Sequence, residues 1–132
     1  MTNTQILFDT SLLIEYVRKQ KKEQTLFYRL STEYTLYIAA ITEYEFLLGR
    51  NPANAAFSDK LLQQVTVLPM DSRVARLSVE IYRSLKQKNA LIGTNDIFIA
   101  ATALQFEIPI ATLNRKHFSR VETDFGVQLL SE

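Results

Sequence analysis

The fold of this chain follows from one short stretch, Ile6-Leu7-Phe8-Asp9-Thr10-Ser11. Its three apolar residues predict a buried strand, and the two hydroxyl residues at its end are typical of a helix start. The carboxylate between them loses hydration on burial, so it needs hydrogen-bond donors, a cation or a metal. Ligands of open α/β sheets bind at the carboxyl ends of strands. We therefore take Asp9 as the anchor of a candidate acidic site.

The size and composition are those of an ordinary globular domain. The length of 132 residues favours a single domain over residues 1–132, and the apolar fraction of 47% allows a substantial core. The formal net charge of +1 neither indicates nor excludes nucleic acid, so any basic surface must be local. The absence of cysteine excludes disulfides and thiolate metal sites and favours a reducing, cytoplasmic location. The first residues lack a signal-peptide pattern and no apolar run approaches the roughly 20 residues of a membrane span, so we expect no membrane association.

Strand and helix patterns alternate along the chain, which predicts an α/β domain with a mostly parallel sheet. The segment from Thr94 to Leu104 is apolar almost all round, so we expect that helix to lie deep in the domain. A short helical turn is expected to begin at Asn114. We predict strands over residues 6–8, 34–39, 65–68, 109–112 and 127–130, and helices over 12–20, 23–30, 42–48, 52–64, 72–87 and 94–104. The expected architecture is a central sheet of about five strands flanked by helices.

Three carboxylates stand where apolar elements begin or end, namely Asp9 after the first strand and Glu45 and Asp96 in the first turns of two helices. Each also has a purely structural explanation. Asp9 could cap the first helix, and Asp96 could complement a helix dipole. Glu45 completes a capping box that begins at Thr42. Brought together at adjacent edges of one sheet, the three acids would repel at a few ångströms unless a cation lay between them.

The ligand type of this acidic set suggests a metal and a reaction. Oxygen ligands alone favour Mg²⁺ or Mn²⁺ over Zn²⁺. Such an ion binds a phosphate oxygen, activates a water and stabilises a leaving oxygen, so the acids point to metal-dependent hydrolysis of a phosphodiester. The spacing alone leaves this chemistry and the structural explanations open.

Four motifs in order resemble the PIN-domain family, and within it the VapC-type toxins of toxin–antitoxin pairs. They are Ile6-Leu7-Phe8-Asp9-Thr10-Ser11, Thr42-x-x-Glu45-x-x-x-Gly49, Ile92-Gly93-x-Asn95-Asp96-x-x-Ile99-Ala100-Ala101 and Ala111-Thr112-x-Asn114-x-x-His117-Phe118. The resemblance covers nearly the whole chain and implies a three-layer fold and a Mg²⁺- or Mn²⁺-dependent endoribonuclease. It also implies a homodimer held inactive by a small VapB-like antitoxin.

The same resemblance assigns roles to particular residues. Asp9, Glu45 and Asp96 match the metal-site acids, and Asn114 joins them as a catalytic residue. The supporting polar positions are Ser11, Thr10 and Thr112. Glu43 is excluded, because a helix turns it to a different side from Glu45 two residues later.

One position departs from the family pattern. His117 stands where many PIN domains carry a fourth acid, which favours one firmly held ion over two. This histidine could bind phosphate, orient a water or face solvent. Cations near the acids would be needed to approach RNA phosphates. The candidates for substrate contacts are Arg115, Lys116 and His117, followed by Arg120, Lys86 and Lys88, and ordinary solvated side chains are the alternative.

Two other functions compete with the nuclease. A haloacid-dehalogenase-like phosphatase would need a second Asp where Ser11 stands, which argues against it. A catalytically weak or inactive PIN-fold module that binds RNA or protein remains open because of His117. Aromatic residues that are exposed near the first helix would form a groove for an antitoxin helix. The members of this aromatic set are Phe27, Tyr28, Tyr34, Tyr37 and Tyr44.

Overall fold

The computed structural model describes residues 4–130. The strands are β1 (Gln5–Phe8), β2 (Thr35–Ala39), β3 (Thr66–Leu68) and β4 (Ile110–Ala111). The helices are α1 (Thr10–Arg18), α2 (Leu26–Ser31), α3 (Ala40–Leu48), α4 (Ala55–Leu62), α5 (Ser72–Gln87), α6 (Thr94–Phe106) and α7 (Arg115–Phe125), with a 3₁₀ turn at Lys22–Gln24. No helix in this described part of the chain is long and apolar enough to cross a membrane.

The sheet is parallel throughout, with strand order β3-β2-β1-β4. Phe8, the last residue of β1, is paired with Ile38 of β2 and with Ala111 of β4. The residues that follow these strands therefore meet at one edge, as expected for the carboxyl ends of parallel strands. This register brings Asp9 beside Thr112 even though they are far apart in sequence.

Two apolar layers cover the two faces of the sheet. Leu7 packs into a cluster with residues of α5, α6 and α7, such as Ile81 and Ile99. Ile6 and Phe8 face the opposite way and pack in a cluster with residues of α1, α2, α3 and α4. This alternation along β1 is the two-residue period of a strand, and it confirms the predicted three-layer α/β fold. Helix α6 is buried along most of its length, also as predicted.

The predicted fifth strand is reduced to a single bridge. Over residues 4–130 the sheet has four strands, and Leu129 forms one isolated parallel bridge with Ile110. The backbone N–H of Ile110 donates to the carbonyl oxygen of Gln128, and that of Leu130 donates to Ile110, each at 2.8 Å. Because β4 has only two residues, it offers no longer ladder for residues 127–130 to join.

Helices α1 and α2 differ by up to three residues from their predicted bounds of 12–20 and 23–30, and three further boundary errors change how an element is built. Helix α3 follows β2 directly and begins at Ala40, so Thr42 lies buried inside the helix and forms no capping box with Glu45. Helix α4 begins at Ala55 rather than at residue 52, because the Asn51 side chain accepts hydrogen bonds from the next backbone N–H groups and holds a turn.

The third error concerns the length of the last helix. Helix α7 has 11 residues, whereas the sequence predicted only a short turn from Asn114. Its apolar residues Phe118, Val121 and Phe125 recur at helical spacing, and the first two are fully buried. These residues anchor the helix on the core beside α5 and α6.

Candidate active site

Asp9 lies at the end of β1 with 3% of its surface exposed. Its Oδ1 accepts hydrogen bonds from the Ser11 backbone N–H at 3.1 Å and from the Ser11 hydroxyl at 2.5 Å. Its Oδ2 accepts from the Thr112 hydroxyl at 2.6 Å. The same two hydroxyls also accept hydrogen bonds from the loop that follows β4. The Ser11 hydroxyl accepts from the backbone N–H of Leu113 at 3.2 Å, and the Thr112 hydroxyl accepts from the backbone N–H of Asn114 at 2.8 Å. The two hydroxyls therefore fix both the carboxylate and the neighbouring loop.

The charge of Asp9 is only partly compensated by these contacts. Burial raises the pKa of this carboxyl above its ordinary value of 3.8, and the negative charge of Asp96 adds to the rise. The hydrogen bonds from Ser11 and Thr112 act in the opposite direction. Asp9 also caps α1 through the Ser11 N–H, so the structural explanation for this residue holds alongside any chemical role.

Glu45 is half-buried and its two oxygens are held from opposite sides. Thr10 donates to Oε1 at 2.5 Å, and the side-chain amide of Asn95 donates to Oε2 at 2.8 Å. Thr10 directly follows Asp9 and Asn95 directly precedes Asp96. Glu45 is therefore connected to both aspartates through their sequence neighbours.

Asp96 contacts the residue that replaces the expected fourth acid. Its Oδ2 lies 2.9 Å from His117 Nδ1, and the same ring nitrogen lies 2.8 Å from Asn114 Nδ2. The side chains of Asp96 and His117 are 25% and 40% exposed, respectively. The trio faces solvent more than Asp9 does, and Thr112 joins it to Asp9 through the Asn114 backbone.

These contacts connect the three predicted acids without packing them around one point. Over residues 4–130, no three His, Asp or Glu side chains are close enough to hold an ion by themselves. The acids instead form a network in which Ser11, Thr10 and Thr112 each contact an acid. Glu43, which the sequence excluded, shares no hydrogen bond with this network among the contacts described.

The family follows from comparison with known sequences. The PIN domain family matches residues 6–123. The chain belongs to the PIN-domain family. Among its relatives, ribonuclease VapC1 of Methanocaldococcus jannaschii is 32% identical over 127 residues, which cover 96% of this chain and 87% of that protein. Toxin FitB of Neisseria gonorrhoeae is 29% identical over 125 residues, covering 86% of this chain and 90% of that toxin. This PIN domain is therefore of the VapC type.

Solved structures share the fold. VapBC from Salmonella typhimurium, solved bound to DNA, has a TM-score of 0.81 at 23% identity, with 96% of each chain covered. FitAcB from Neisseria gonorrhoeae has a TM-score of 0.74 at 26% identity, again with 96% of each chain covered. Both likenesses confirm the PIN-like α/β fold that the sequence predicts.

Most basic side chains near the PIN site are occupied by protein partners. Arg115 donates to the Leu130 carbonyl at 2.6 Å, and Arg120 donates to the carbonyl of Leu91 at 2.9 Å. Lys88 pairs with Asp124, and the Lys86 ammonium lies 5.7 Å from the ring centre of Tyr82. Lys116 is exposed at the start of α7. Of this predicted set, Arg115 and Lys116 follow Asn114 in the sequence, Arg120 and Lys88 contact other elements, and Lys86 lies over a ring of its own helix.

Two polar residues near the site were missed by the sequence reasoning. Asn95 holds Glu45; the third family motif contains this residue, but the sequence reasoning assigned it no role. Arg29 of α2 lines a surface cleft together with Arg115 and Thr112. Nothing in the sequence links Arg29 to Arg115, because α2 and α7 are far apart along the chain.

A mostly apolar groove borders Glu45. It runs between α1, α3 and α4, and its lining includes Ile14, Val17, Phe46 and Glu45. Tyr44 is 57% exposed on α3, whereas Phe27 of the predicted aromatic set is buried. Tyr28 is also exposed, and Tyr34 and Tyr37 are half-buried. The aromatic set therefore divides between core and surface.

Proposed function

We propose that this protein is a metal-dependent endoribonuclease that acts as the toxin of a toxin–antitoxin pair. The observation that carries the proposal is the buried Asp9 carboxylate, held by two hydroxyls beside the charge of Asp96 at the carboxyl edge of a parallel sheet. The relative that is 32% identical over nearly the whole chain is a ribonuclease, which supports the same chemistry. RNA is the proposed substrate.

The donors at this edge fit a hard dication. One lone pair of Asp9 Oδ2 remains after the Thr112 hydrogen bond, because a carboxylate oxygen accepts two. Asp96 and the Asn114 amide oxygen would complete a set that suits Mg²⁺ or Mn²⁺. Each Glu45 oxygen also keeps one lone pair beside its bond from Thr10 or Asn95, so Glu45 would join directly or through a water. When bound, the ion would supply positive charge that stabilises negative charge developing on the phosphate.

The protein's own residues would prepare the reaction around that ion. Ser11 and Thr112 fix the orientation of the Asp9 carboxylate, so no reorganisation is needed during the reaction. Glu45, held on both oxygens, would accept a hydrogen bond from the attacking water and orient it. The cleft lined by Arg29 and Arg115 would receive an RNA phosphate and offset the charge of the acids.

One observation favours the alternative function, that of a catalytically weak or inactive PIN-fold module. His117 contacts an oxygen of Asp96 that an ion would need, which is what a catalytically weak PIN module that binds RNA or protein would show. Both functions use the same fold, so only the chemistry distinguishes them.

The proposed partner is a VapB-like antitoxin bound in the groove between α1, α3 and α4. The Salmonella typhimurium neighbour is a VapBC structure, and VapBC is a family of toxin–antitoxin systems, which supports this choice. Because the groove is lined by Glu45, a segment lying there would also block access to the acids. A homodimer, a single domain over residues 1–132 and a cytoplasmic location are further proposals that follow from the family.

The test is cleavage of total RNA by the purified protein with Mg²⁺ or Mn²⁺. We expect discrete products that disappear with EDTA and in the variant Asp96→Asn, because asparagine keeps the size and shape of aspartate but lacks its charge. Asp59→Asn is the matched control, because Asp59 pairs with Arg50 on the surface and should leave cleavage intact. If Asp96→Asn cleaves as well as the unmodified protein at equal Mg²⁺, the nuclease site lies elsewhere.

A further inference from the structure

His117 stands where the family pattern predicts an acid, and its ring nitrogen lies within hydrogen-bond distance of two other candidate ligands. We propose that His117 is a metal ligand in this protein and that its nitrogen shifts the ion preference of the site from Mg²⁺ towards Mn²⁺. The inference rests on the proposed nuclease function, because it concerns the ion of that same site.

The spacing of the three donors fits one octahedral ion. Adjacent ligands that each lie about 2.1 Å from a central ion are separated by about 3.0 Å along the edge of an octahedron. The distance from Asp96 Oδ2 to His117 Nδ1 is 2.9 Å, and the distance from His117 Nδ1 to the Asn114 amide is 2.8 Å. One edge of a coordination octahedron is therefore already spanned by two ligand atoms, and a second would be spanned once Asn114 presents its amide oxygen in place of Nδ2.

The polarity of these groups also favours an ion over a purely hydrogen-bonded trio. An imidazole nitrogen has one in-plane site, so Nδ1 cannot donate to Asp96 and accept from Asn114 at the same time. An ion accepts electron pairs from all three groups together. Asn114 needs only to turn its amide so that oxygen replaces nitrogen, two orientations that occupy nearly the same space. A dication would thus satisfy every donor in the set.

A nitrogen ligand changes which dication is preferred. Mg²⁺ demands oxygen ligands and octahedral geometry, and imidazole is the ligand of transition metals, whose affinities rise from Mn²⁺ onwards in the first row. An acid in place of His117 would give a harder set made only of oxygen. Histidine in place of the usual acid therefore shifts the preference of the site towards Mn²⁺, whereas a merely structural histidine would orient Asp96 without binding the ion.

The experiment uses the full chain without a polyhistidine tag, loaded with Mn²⁺ and studied by electron spin-echo envelope modulation. The chain contains a single histidine, so an imidazole nitrogen signal can come only from His117. We expect nitrogen modulation that changes when the protein is labelled with ¹⁵N-histidine. The same modulation should persist in Ser119→Ala, an exposed residue two positions further along α7.

Calorimetric titration with Mn²⁺ and Mg²⁺ provides the second measurement. The variant His117→Asp should lose the nitrogen signal. It should also lower the ratio of Mn²⁺ to Mg²⁺ affinity by at least about tenfold, because mutation even of residues that only hydrogen-bond a metal ligand changes metal affinity on that scale. His117→Asn serves as a second variant that keeps a polar side chain of similar reach. Stoichiometric Mn²⁺ binding without histidine nitrogen modulation, or an unchanged affinity ratio in His117→Asp, would overturn the ligand assignment.

Cleavage of RNA by the same samples separates this inference from the proposed function. Cleavage without a nitrogen signal refutes His117 as a ligand and leaves the nuclease proposal standing. A nitrogen signal without cleavage refutes the nuclease proposal and supports the ligand assignment. Absence of both Mn²⁺ binding and cleavage refutes both.

Discussion

At Asp9, one side chain both caps a helix and places a charge at the edge of the sheet. Its Oδ1 accepts from the Ser11 N–H as an N-cap does, while Oδ2 turns towards Thr112 and the loop after β4. Burial works against the charged form, and the two hydroxyl donors only partly offset it. A residue kept for stability alone would not need a buried charge, since Asn caps a helix equally well.

The first prediction concerns the stability of Asp9→Asn. Because burial raises the pKa of Asp9, the folded protein binds this proton more tightly than the unfolded chain does. Stability is therefore lost as pH rises through the folded pKa, and the neutral variant should melt at a higher temperature than the unmodified protein at pH 7. That difference should shrink as the pH falls towards 4, because the Asp9 carboxyl takes up its proton and becomes neutral like the amide of the variant.

Thermal melts across this pH range, followed by circular dichroism, provide the check. Cleavage of RNA by Asp9→Asn should meanwhile fall by on the order of a hundredfold, the scale of losing one preorganised electrostatic group. Asp59→Asn is the control, and its effect on stability at pH 7 should have the opposite sign. The hydrogen bond from Arg50 lowers the pKa of Asp59, so the charged form of this side chain is the one that the folded protein favours. The prediction fails if the melting temperature of Asp9→Asn, measured relative to the unmodified protein, is lower at pH 7 than at pH 4.

The second prediction at this scale removes the Thr112 hydroxyl. Thr112→Val keeps the shape but leaves Asp9 Oδ2 and the Asn114 N–H without their buried partner, which should cost about 1–3 kcal/mol of unfolding free energy. Thr102→Val is the matched control. Thr102 is equally buried but donates to the Phe98 carbonyl of its own helix, so no charge is left uncompensated. Urea unfolding of the two variants should separate them, and equal losses would remove the special role of Thr112.

At the scale of elements, hydrophobic patterns predicted most of the fold. The apolar run of β1 and the all-round apolar α6 were identified because their burial is fixed by residue type alone. The start of α3 and the length of α7 were missed for different reasons. Helix α3 begins without a capping side chain at Ala39, and the core contacts of α7 depend on α5 and α6, which the local sequence does not reveal.

Helix termini supply the prediction at this scale. Gly126 ends α7 with φ at +75°, a left-handed conformation, and no heavy atom lies within 4 Å of where a Cβ would stand. Gly126→Ala should therefore lower stability by about 1–2 kcal/mol through backbone strain alone. Gly49 ends α3 at φ −88°, where Ala fits, so Gly49→Ala should raise stability by about 0.4–1 kcal/mol. Denaturant unfolding measures the change in unfolding free energy for both variants. A loss of stability in Gly49→Ala would show that the Gly of the motif Thr42-x-x-Glu45-x-x-x-Gly49 is needed for more than its backbone conformation.

At the scale of the whole molecule, the site depends on strand register, which brings together residues that are far apart in the sequence. Asp9 and Thr112 meet because Phe8 pairs with Ala111 across 103 residues of chain, and Glu45 reaches Thr10 and Asn95 across 35 and 50 residues. The residue types predicted an acidic metal site. The division of labour among the acids, and the contact between Asp96 and His117, depend on loop geometry that no pattern encodes.

The last prediction concerns the exposed face of α3 beside the apolar groove. Tyr44 is the most exposed aromatic residue of the set discussed above, and it projects from α3, the helix that carries Glu45. Tyr44→Ala should weaken capture of the cognate antitoxin by about tenfold, because a truncated interface aromatic typically costs more than 1 kcal/mol, and it should leave RNA cleavage by free toxin unchanged. Tyr82→Ala is the control, since Tyr82 is 42% exposed on α5, which packs on the opposite face of the sheet. Surface plasmon resonance with immobilised antitoxin measures both affinities. Equal binding by Tyr44→Ala and the unmodified protein would exclude the exposed Tyr44 face of α3 from the antitoxin surface.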